Sequence, residues 1–300
     1  MITRTILLKL ADNPTMRNLV EKRGWRFASR FVAGTTLDQA VGVAKTLNAA
    51  GITATLSHLG EHITDAERAR AEVSEFQHAL ETLNRENVRC GLSLKPSQLG
   101  MFIDPAMAEE GIRTVTECAA ANGRFVRVDM EDSNWTGATL NLVQSVHAQY
   151  PNIGVVIQSY LRRSEADVNT LNAAGISVRL CKGAYNEPAP VAFPTKQEVD
   201  ARYVALSRLL LEAGTRPGFA THDPKMISAI KRLAIERPNA PWEIQMLYGV
   251  RRDLQTSLAA EGHRVRVYIP YGTEWYPYFT RRLAERPANI GFILRNLSKG

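Results

Sequence analysis

The sequence predicts an α/β fold, a (βα)8 barrel made from one chain of 300 residues. Short β-branched or apolar runs alternate with longer amphipathic segments, eight such runs can be counted, and no Pro/Gly/Ser-rich linker divides the chain. A closed barrel of this kind has eight parallel strands, each followed by a helix, and the eight runs match that number. An open, doubly wound sheet is the alternative, but the GxGxxG turn typical after its first strand is missing.

The predicted elements follow one another in a regular order. A helix-like segment over 64–83 begins with Thr and Asp, and another over 164–175 ends on glycine. Residues 1–50 are predicted to be an N-terminal helical extension that includes a helix over 36–51, and 51–300 the barrel. The eight predicted strands are 52–60, 89–95, 125–130, 154–161, 177–185, 218–222, 242–249 and 264–272.

Composition and charge narrow the function classes. The net charge of +7 suits nucleic acid, an anionic membrane surface or an anionic small ligand. The basic residues are dispersed, without a run of five, so we expect no nucleic-acid partner, whereas weak peripheral contact with the inner face of a membrane stays open. The first residues lack the long apolar core of a secretory signal, which predicts a cytoplasmic protein.

The cysteines and histidines do not predict a metal site. The three cysteines are widely spaced and form no CxxC pair, so neither a disulfide framework nor a zinc site is indicated. No cluster of carboxylates and histidines has ligand spacing. We therefore expect the cysteines to be packed thiols.

Polar residues stand where the predicted strands end, which is where barrels of this kind carry functional groups. Lys95 and Asp129 each interrupt an apolar run, and on neighbouring strands their opposite charges would stabilise each other. The pair would serve either catalysis or the register of the barrel. The other polar strand-end residues are Glu61, Glu131, Gln158, Arg162, Arg163, Arg179, Lys182, Tyr185, Thr221, His222, Gln245, Tyr248 and Tyr268.

The last amphipathic segment carries Tyr278, Arg281, Arg282 and Glu285 at i, i+3, i+4 and i+7. On a helix these spacings put all four side chains on one face. Two adjacent guanidiniums can hold a carboxylate, and a nearby acid can fix them in place. The alternative interpretation is a solvated helix face, which is the more common origin of such charge patterns.

The segment VRLCKGAY also suggests a ligand. Gly183 would let the backbone approach a ligand closely, and the cations at Arg179 and Lys182 suit a phosphate group or a flavin. His222 precedes Asp223 and Pro224, a sequence that begins a helix well, so this histidine is as compatible with a structural role as with a ligand contact.

Seven distinctive segments follow one another along the chain in this order: VRVDMEDS, QSYLRR, VRLCKGAYNEP, ATHD, EIQMLYGVR, YIPYG and YPYFTRRLAERPAN. In order and spacing they resemble the flavin-dependent proline dehydrogenases, specifically the monofunctional bacterial type, and the resemblance runs from about residue 31 to the end. It implies a distorted (βα)8 TIM-like barrel with FAD at the C-terminal ends of the strands.

The implied reaction is oxidation of L-proline to Δ1-pyrroline-5-carboxylate by hydride transfer from proline C5 to FAD N5. This is the first step of proline catabolism to glutamate. The family passes the electrons to membrane quinone, and a separate pyrroline-5-carboxylate dehydrogenase would take the product. A proline-binding barrel without catalysis and a phosphate-handling barrel enzyme are the alternatives, and the second leaves the arginine helix unexplained.

The resemblance also assigns residues. Asp129 and Arg179 would be catalytic, Asp129 orienting Lys95 and the substrate, and Arg179 donating near flavin N5. Substrate binding would fall to Lys95, Arg281 and Arg282 at the carboxylate, with Glu61 paired to Lys95, Glu285 bracing the arginines, and Leu180, Tyr185, Tyr268 and Tyr278 walling the pocket. FAD would be contacted by Met130, Gln158, Arg179, Lys182, Gly183, Ala184, Thr221 and His222.

Two positions depart from the family pattern. Asp223 replaces the more usual asparagine, and we expect this to change hydrogen bonds within its loop. Asn186 replaces a residue that is commonly aromatic, which would loosen one side of the flavin site.

Overall fold

The computed structural model describes residues 25–238 and 240–285, the side chains of the last five of these excepted. Eight parallel strands form a closed barrel in the order β1 to β8, and β8 pairs with β1 from Thr53–Arg266 to His58–Tyr271. This confirms the predicted barrel. The strands are β1 Thr53–His58, β2 Cys90–Leu94, β3 Val126–Val128, β4 Ile153–Gln158, β5 Ser177–Cys181, β6 Gly218–Ala220, β7 Glu243–Leu247 and β8 Val265–Tyr271.

A helix follows every strand, as the alternating pattern predicts. Two further helices, α1 and α2, precede β1. The helices are α1 Trp25–Ala28, α2 Leu37–Ala49, α3 Ala66–Arg85, α4 Pro105–Ala121, α5 Thr136–His147, α6 Ser164–Ala173, α7 Lys196–Ala213, α8 Pro224–Ile235, α9 Arg252–Ala260 and α10 Trp275–Glu285. Short 3-10 turns at Pro96–Leu99 and Ser133–Trp135 follow β2 and β3.

Local capping determines where several of these helices begin. The Asp65 side chain accepts from the Arg68 N–H at 2.8 Å and starts α3, and Thr195 forms a capping box with Glu198 at the start of α7. Asp223 caps α8, with Pro224 in the first helical position. These caps limit the length of the loops that follow β1, β5 and β6.

Side chains alternate along the strands between two environments. Leu56, Leu92 and Val128 have one per cent or less of their surface exposed and belong to the hydrophobic core. Their neighbours Ser57 and Ser93 are polar and fully buried, on the opposite strand face. The barrel interior is therefore polar, while apolar side chains join the sheet to the helices.

The two N-terminal helices pack in two separate hydrophobic clusters. Helix α2 buries Leu37, Ala40 and Val41 in the main hydrophobic cluster. The Trp25 ring on α1 meets Trp275 on α10 edge to face at a centroid distance of 5.6 Å. Residues 1–24 of the expected N-terminal extension lie outside the described residues. Along the part of the chain that is described, no helix is both long and apolar enough to cross a bilayer.

Candidate active site

Asp129, directly after β3, is the centre of a hydrogen-bonded cluster in the barrel. Its Oδ1 accepts from the Ser93 hydroxyl at 2.8 Å and from Arg179 Nη1 at 2.9 Å, and its Oδ2 accepts from the Tyr268 hydroxyl at 2.9 Å. The Ser57 and Tyr268 hydroxyl oxygens lie 2.7 Å apart, and Ser57 must donate because the tyrosine proton goes to the carboxylate. The cluster joins side chains from β1, β2, β5 and β8 to the residue that directly follows β3.

The sequence predicts an ion pair between Lys95 and Asp129, and this prediction is wrong. The cation that pairs with Asp129 is Arg179, and their side chains are only 14% and 7% exposed, with Arg179 the more buried. Ser93 and Tyr268 supply further donors, so the carboxylate is engaged without the lysine. A position on a neighbouring strand made Lys95 a plausible partner, but the longer reach of Arg179 across the barrel decides the pairing.

Tyr268 is held as a hydrogen-bond donor. Burial raises the pKa of its hydroxyl well above the usual value, and the negative charge of Asp129 adds to the effect. The Arg179 guanidinium carbon lies 5.4 Å from the centre of the tyrosine ring, within range of a cation–π contact. The phenol therefore stays protonated beside a paired carboxylate.

Ser97 ties together the loops that follow the first three strands. Its hydroxyl accepts from the His62 N–H at 3.2 Å and donates to Glu131 Oε1 at 2.6 Å, while its N–H donates to Glu131 Oε2 at 3.0 Å. Burial raises the pKa of the Glu131 carboxyl. In the same turn the Lys95 N–H donates to Gln98 Oε1 at 2.8 Å. These bonds fix the backbone from which Lys95 projects.

A pocket of about 110 Å³ lies beside this turn. It brings together three predicted substrate-site residues, Glu61, Lys95 and Tyr278. At its edge, Arg68 Nη2 and Glu274 Oε1 lie 3.7 Å apart, in side chains that are about half exposed. The lining residues are Leu59, Gly60, Glu61, Arg68, Lys95, Glu274, Pro277 and Tyr278.

The strand that leads into this pocket ends at a histidine–glutamate pair. His58 Nδ1 and Glu72 Oε2 are 2.8 Å apart, and the His58 carbonyl accepts from Gln98 Nε2 at 2.9 Å. Burial opposes protonation of His58, but the hydrogen bond and charge of Glu72, with the charge of Glu75, outweigh both burial and the nearby Arg68, so its pKa is raised above 6.5.

This pair makes stability depend on pH. Because the folded-state pKa of His58 is raised, its contribution is fully present below about pH 6.5 and is lost as the pH rises through the folded-state value. We expect His58→Gln to lower the free energy of unfolding more at pH 6 than at pH 8.5, measured by urea denaturation. A His263→Gln control, at a histidine whose pKa is lowered by burial, should show no such excess loss at pH 6. An equal loss at both pH values in His58→Gln would contradict the assignment.

The loop after β5 presents backbone at the barrel mouth. Gly183 and Ala184 are exposed, and Gly183 has a φ of +110°. A Cβ at Gly183 would lie 2.7 Å from Cγ of the buried Tyr160 ring, so only glycine fits here. Tyr185, a predicted pocket residue, is half-buried in the same loop.

Lys182 is held between two carboxylates. Its Nζ lies 2.5 Å from Asp200 Oδ1 and 3.0 Å from Asp223 Oδ2. Asp223, the departure from the family pattern, also caps α8 by accepting from the Lys225 N–H at 3.0 Å. An asparagine could cap the helix but would not pair with the lysine, so Asp223 gives this loop an additional ionic contact.

The remaining predicted cofactor residues lie at the ends of β3, β4 and β6. Thr221 is buried, and its hydroxyl accepts from the Asp223 N–H at 3.1 Å. His222 Nε2 accepts from the Leu247 N–H at 2.9 Å, so this nitrogen carries no proton. Met130 and Gln158 are buried, and the Gln158 amide donates to the Glu131 carbonyl at 2.9 Å.

Four predicted residues fall outside this arrangement. The backbone of α10 includes Arg281, Arg282 and Glu285, but their side chains lie outside the described residues. Leu180 is fully buried in the hydrophobic core, on the face of β5 opposite to Arg179. This placement corrects its expected role in the pocket wall, because a strand cannot direct consecutive side chains to the same face.

Sequence reasoning missed the hydroxyls and the amide that complete the site. Ser57, Ser93 and Ser97 are small and common, so nothing in their type indicates a role. Alternation was the available signal, because Ser93 shares a strand face with Lys95, and Ser57 precedes Glu61 in the same strand–loop unit. Gln245 is one of the polar strand-end residues, but the sequence predicts no role for it.

The chain resembles known proteins along nearly its whole length. The family model "Proline dehydrogenase" matches residues 40–295. The chain belongs to the proline dehydrogenase family. It is 38% identical over 299 residues to proline dehydrogenase 1 of Bacillus subtilis (strain 168), covering 99% of each chain, and 36% identical over 304 residues to the proline dehydrogenase of Deinococcus radiodurans, covering 99% of this chain and 98% of that one.

A solved structure supports the fold of this proline dehydrogenase family member. The crystal structure of proline utilization A from Bdellovibrio bacteriovorus, inactivated by N-propargylglycine, superposes with a TM-score of 0.82 at 25% identity. The match covers 90% of this chain and 33% of that longer one. The chain is thus an enzyme of an oxidoreductase family, in the fold that its sequence predicts.

The residues at the barrel mouth fit a flavin, the cofactor expected for the family. Gly183 and Ala184 present an exposed backbone edge against which a planar ring system can lie, while the Tyr160 ring fills the space of the missing Gly183 Cβ. The Arg179 guanidinium lies below the same loop, in β5, and is fixed by buried partners. A cation so held suits a group that gains negative charge on reduction.

Proposed function

We propose that this chain oxidises L-proline to Δ1-pyrroline-5-carboxylate with FAD, as the first step of proline catabolism to glutamate. When bound, FAD supplies the acceptor at N5 for the hydride that leaves proline C5. The observation that carries the proposal is the Asp129–Arg179–Tyr268 cluster, where a buried cation, a carboxylate and a phenol converge. Tyr278, which lines the pocket that contains Lys95, is close enough to Tyr268 to help raise the pKa of its hydroxyl. Family membership supports it independently.

The substrate carboxylate binds to cations. Lys95 lines a pocket of suitable size for a small amino acid, and Arg281 and Arg282 follow on α10, whose Tyr278 lines the same pocket. Clamping the carboxylate orients the ring for reaction, which removes much of the entropic barrier. Glu61, in the same pocket, and Glu285 brace these cations.

The cluster of Asp129 orients and shields the reacting carbon. Its rigid bonds to Arg179 and Tyr268 leave the tyrosine ring as a fixed wall, and Tyr185 and Tyr278 complete an enclosure that excludes water. Arg179 holds positive charge where the acceptor becomes negative. FAD is contacted by Met130, Gln158, Arg179, Lys182, Gly183, Ala184, Thr221 and His222.

The first test is proline-dependent dye reduction by the purified, FAD-loaded protein. We expect turnover by the wild type and a loss of roughly 100-fold in kcat/KM for Arg281→Met, because one cation of the clamp is removed. Arg237→Met, at an exposed arginine two residues after the end of α8, is the matched control and should keep wild-type turnover. Equal rates in wild type and Arg281→Met would contradict the proposed carboxylate clamp. Absence of turnover in the wild type and in both variants would contradict the proposed function.

Tyr268 makes the enzyme prefer proline to 4-hydroxyproline. Its hydroxyl is engaged by both Asp129 and Ser57, so the ring has no freedom to move away from a bulkier substrate. We expect kcat/KM for proline to exceed that for 4-hydroxyproline by about 5- to 150-fold, since an unpaired polar group costs about 1–3 kcal/mol. Equal or reversed preference in side-by-side kinetics would show that Tyr268 does not limit the space.

Electrons then pass to a membrane quinone, and a separate pyrroline-5-carboxylate dehydrogenase takes the product. The net charge of +7 supports weak, transient contact with anionic lipid. A short-chain quinone that fails to replace the dye would contradict the first part, and absence of vesicle co-sedimentation at low salt would contradict the second.

A further inference from the structure

Gln245 lies beneath the Asp129 cluster, in β7, and is bonded on both sides. Its Oε1 accepts from Arg179 Nε, and its Nε2 donates to Glu243 Oε1 at 2.5 Å. The side chain is 5% exposed. Arg179 is thereby held at Nε from below and at Nη1 by Ser93 and Asp129. Within the described residues, the third nitrogen of the guanidinium, Nη2, has no protein acceptor.

Glu243 determines which way the Gln245 amide points. Its Oε1 accepts from Arg266 Nε at 2.6 Å and its Oε2 from Arg266 Nη2 at 3.1 Å, a bidentate pair. Burial alone would raise the pKa of the Glu243 carboxyl, but Arg266 overcomes this and the pKa lies below its usual value. An ionised carboxylate only accepts, so the NH2 of Gln245 must face Glu243 and the carbonyl oxygen must face Arg179.

Gly218, in the neighbouring β6, leaves room for this amide. A Cβ at Gly218 would lie 2.8 Å from Gln245 Cδ and closer still to its amide nitrogen. The glutamine therefore occupies space that any other residue at 218 would fill. Strands β6 and β7, together with the Arg266–Glu243 ion pair, thus hold the Gln245 amide against the Arg179 guanidinium.

We propose that Gln245 is a positioning residue for Arg179, and that the Arg266–Glu243 pair sets its orientation from the floor of the barrel. By holding Nε while Asp129 and Ser93 hold Nη1, it stops rotation of the planar guanidinium and leaves Nη2 as the donor for a bound ligand. The inference rests on the proposed function, in which Arg179 donates next to flavin N5. Gln245 itself touches neither substrate nor cofactor.

The test combines kinetics with a measurement on cofactor-free protein. Gln245→Met keeps the length of the side chain but removes the acceptor, so we expect kcat for proline to fall about 10- to 100-fold with KM changed less than about threefold, the effect of a displaced group that acts on chemistry. In ¹⁵N-arginine spectra of the cofactor-free wild type, the Arg179 Nε–H, assigned by its loss in Arg179→Lys, should be protected from exchange. Gln245→Met should lose that protection.

Two further variants separate positioning from folding. Gln245→Glu keeps an acceptor for the Arg179 Nε–H. At acidic pH, a proton shared between the introduced carboxylate and Glu243 prevents repulsion between them. This variant should therefore keep the Arg179 Nε–H protected from exchange and have a higher kcat than Gln245→Met. Gly218→Ala leaves Gln245 in the chain but displaces its amide, so kcat should fall as in Gln245→Met.

The matched control is Gln255→Met, at a buried glutamine that donates to the Leu247 and Val250 carbonyls and has no contact with Arg179. It should keep both the protected resonance and kcat. The proposal is overturned if Gln245→Met retains the protected resonance, if its kcat stays within twofold of wild type, or if Gln255→Met behaves the same way. If the wild type does not oxidise proline, the proposed function is contradicted. The spectra would still show whether Gln245 holds Arg179.

Discussion

Replacing Asp129 with alanine is expected to lower kcat/KM for proline by about 100- to 1000-fold, the range seen when a preorganised electrostatic group is removed. The change removes the acceptor for three donors at once, from Ser93, Arg179 and Tyr268. It leaves a largely buried guanidinium without its counter-charge, so both Arg179 and the tyrosine ring must find new partners. Steady-state dye reduction with FAD-loaded protein measures the effect.

The conservative and control variants make this result specific. Asp129→Asn keeps one oxygen as an acceptor but offers an NH2 to one of the donors, so its loss should be smaller than that of alanine. Asp253→Ala removes a carboxylate that is 79% exposed and 3.9 Å from Arg251, and it should leave kcat/KM unchanged. A kcat/KM for Asp129→Ala within threefold of wild type would show that the cluster does not support the reaction.

The strands could be predicted from the sequence because their two faces differ so clearly. In FVRVDM, the apolar Val126 and Val128 alternate with the polar Arg127 and Asp129, and the observed strand lies inside that run. The same alternation places Arg179 inside the barrel and Leu180 outside it, so the error at Leu180 could have been avoided. Local pattern fixes the direction of a side chain on a strand.

Pairing across the barrel could not be predicted in the same way. Asp129 meets Arg179 from β5 and Tyr268 from β8, and sequence separations of 50 and 139 residues carry no signal about which long side chain reaches which acceptor. Lys95 was the obvious partner because it is adjacent in the sheet. Ser93 from β2, Arg179 from β5 and Tyr268 from β8 satisfy the carboxylate instead, and only a closed barrel with known register brings them together.

The structural roles of the glycines could not be predicted from the sequence either. The sequence suggested that Gly183 lets a ligand approach, but not that Tyr160 occupies the space of its missing Cβ. The role of Gly218 beside Gln245 had no signal at all, because it depends on an amide from the next strand. Such positions become interpretable only when the neighbouring side chain is known.

Gly183→Ala is expected to reduce the affinity for FAD by about 10- to 100-fold, the equivalent of about 1.4–2.8 kcal/mol. The added Cβ would meet the Tyr160 ring, with Cγ 2.7 Å away, and the φ of +110° is strained for any residue with a side chain. Because Tyr160 is buried, the loop rather than the ring must move, and with it the exposed peptide edge at Ala184. FAD titration of cofactor-free protein, followed by flavin fluorescence, measures the loss.

Gly123→Ala separates this steric effect from backbone strain alone. Gly123 also has a positive φ, +62°, but an added Cβ would have no neighbour within 4 Å. Gly123 lies in the turn between α4 and β3, at the opposite end of the barrel from the C-terminal ends of the strands. Both variants should therefore lose some stability to thermal unfolding, whereas only Gly183→Ala should lose FAD affinity. If the two variants bind FAD equally well, the loop after β5 does not form the flavin surface. If both lose affinity equally, general destabilisation rather than contact with Tyr160 explains the result.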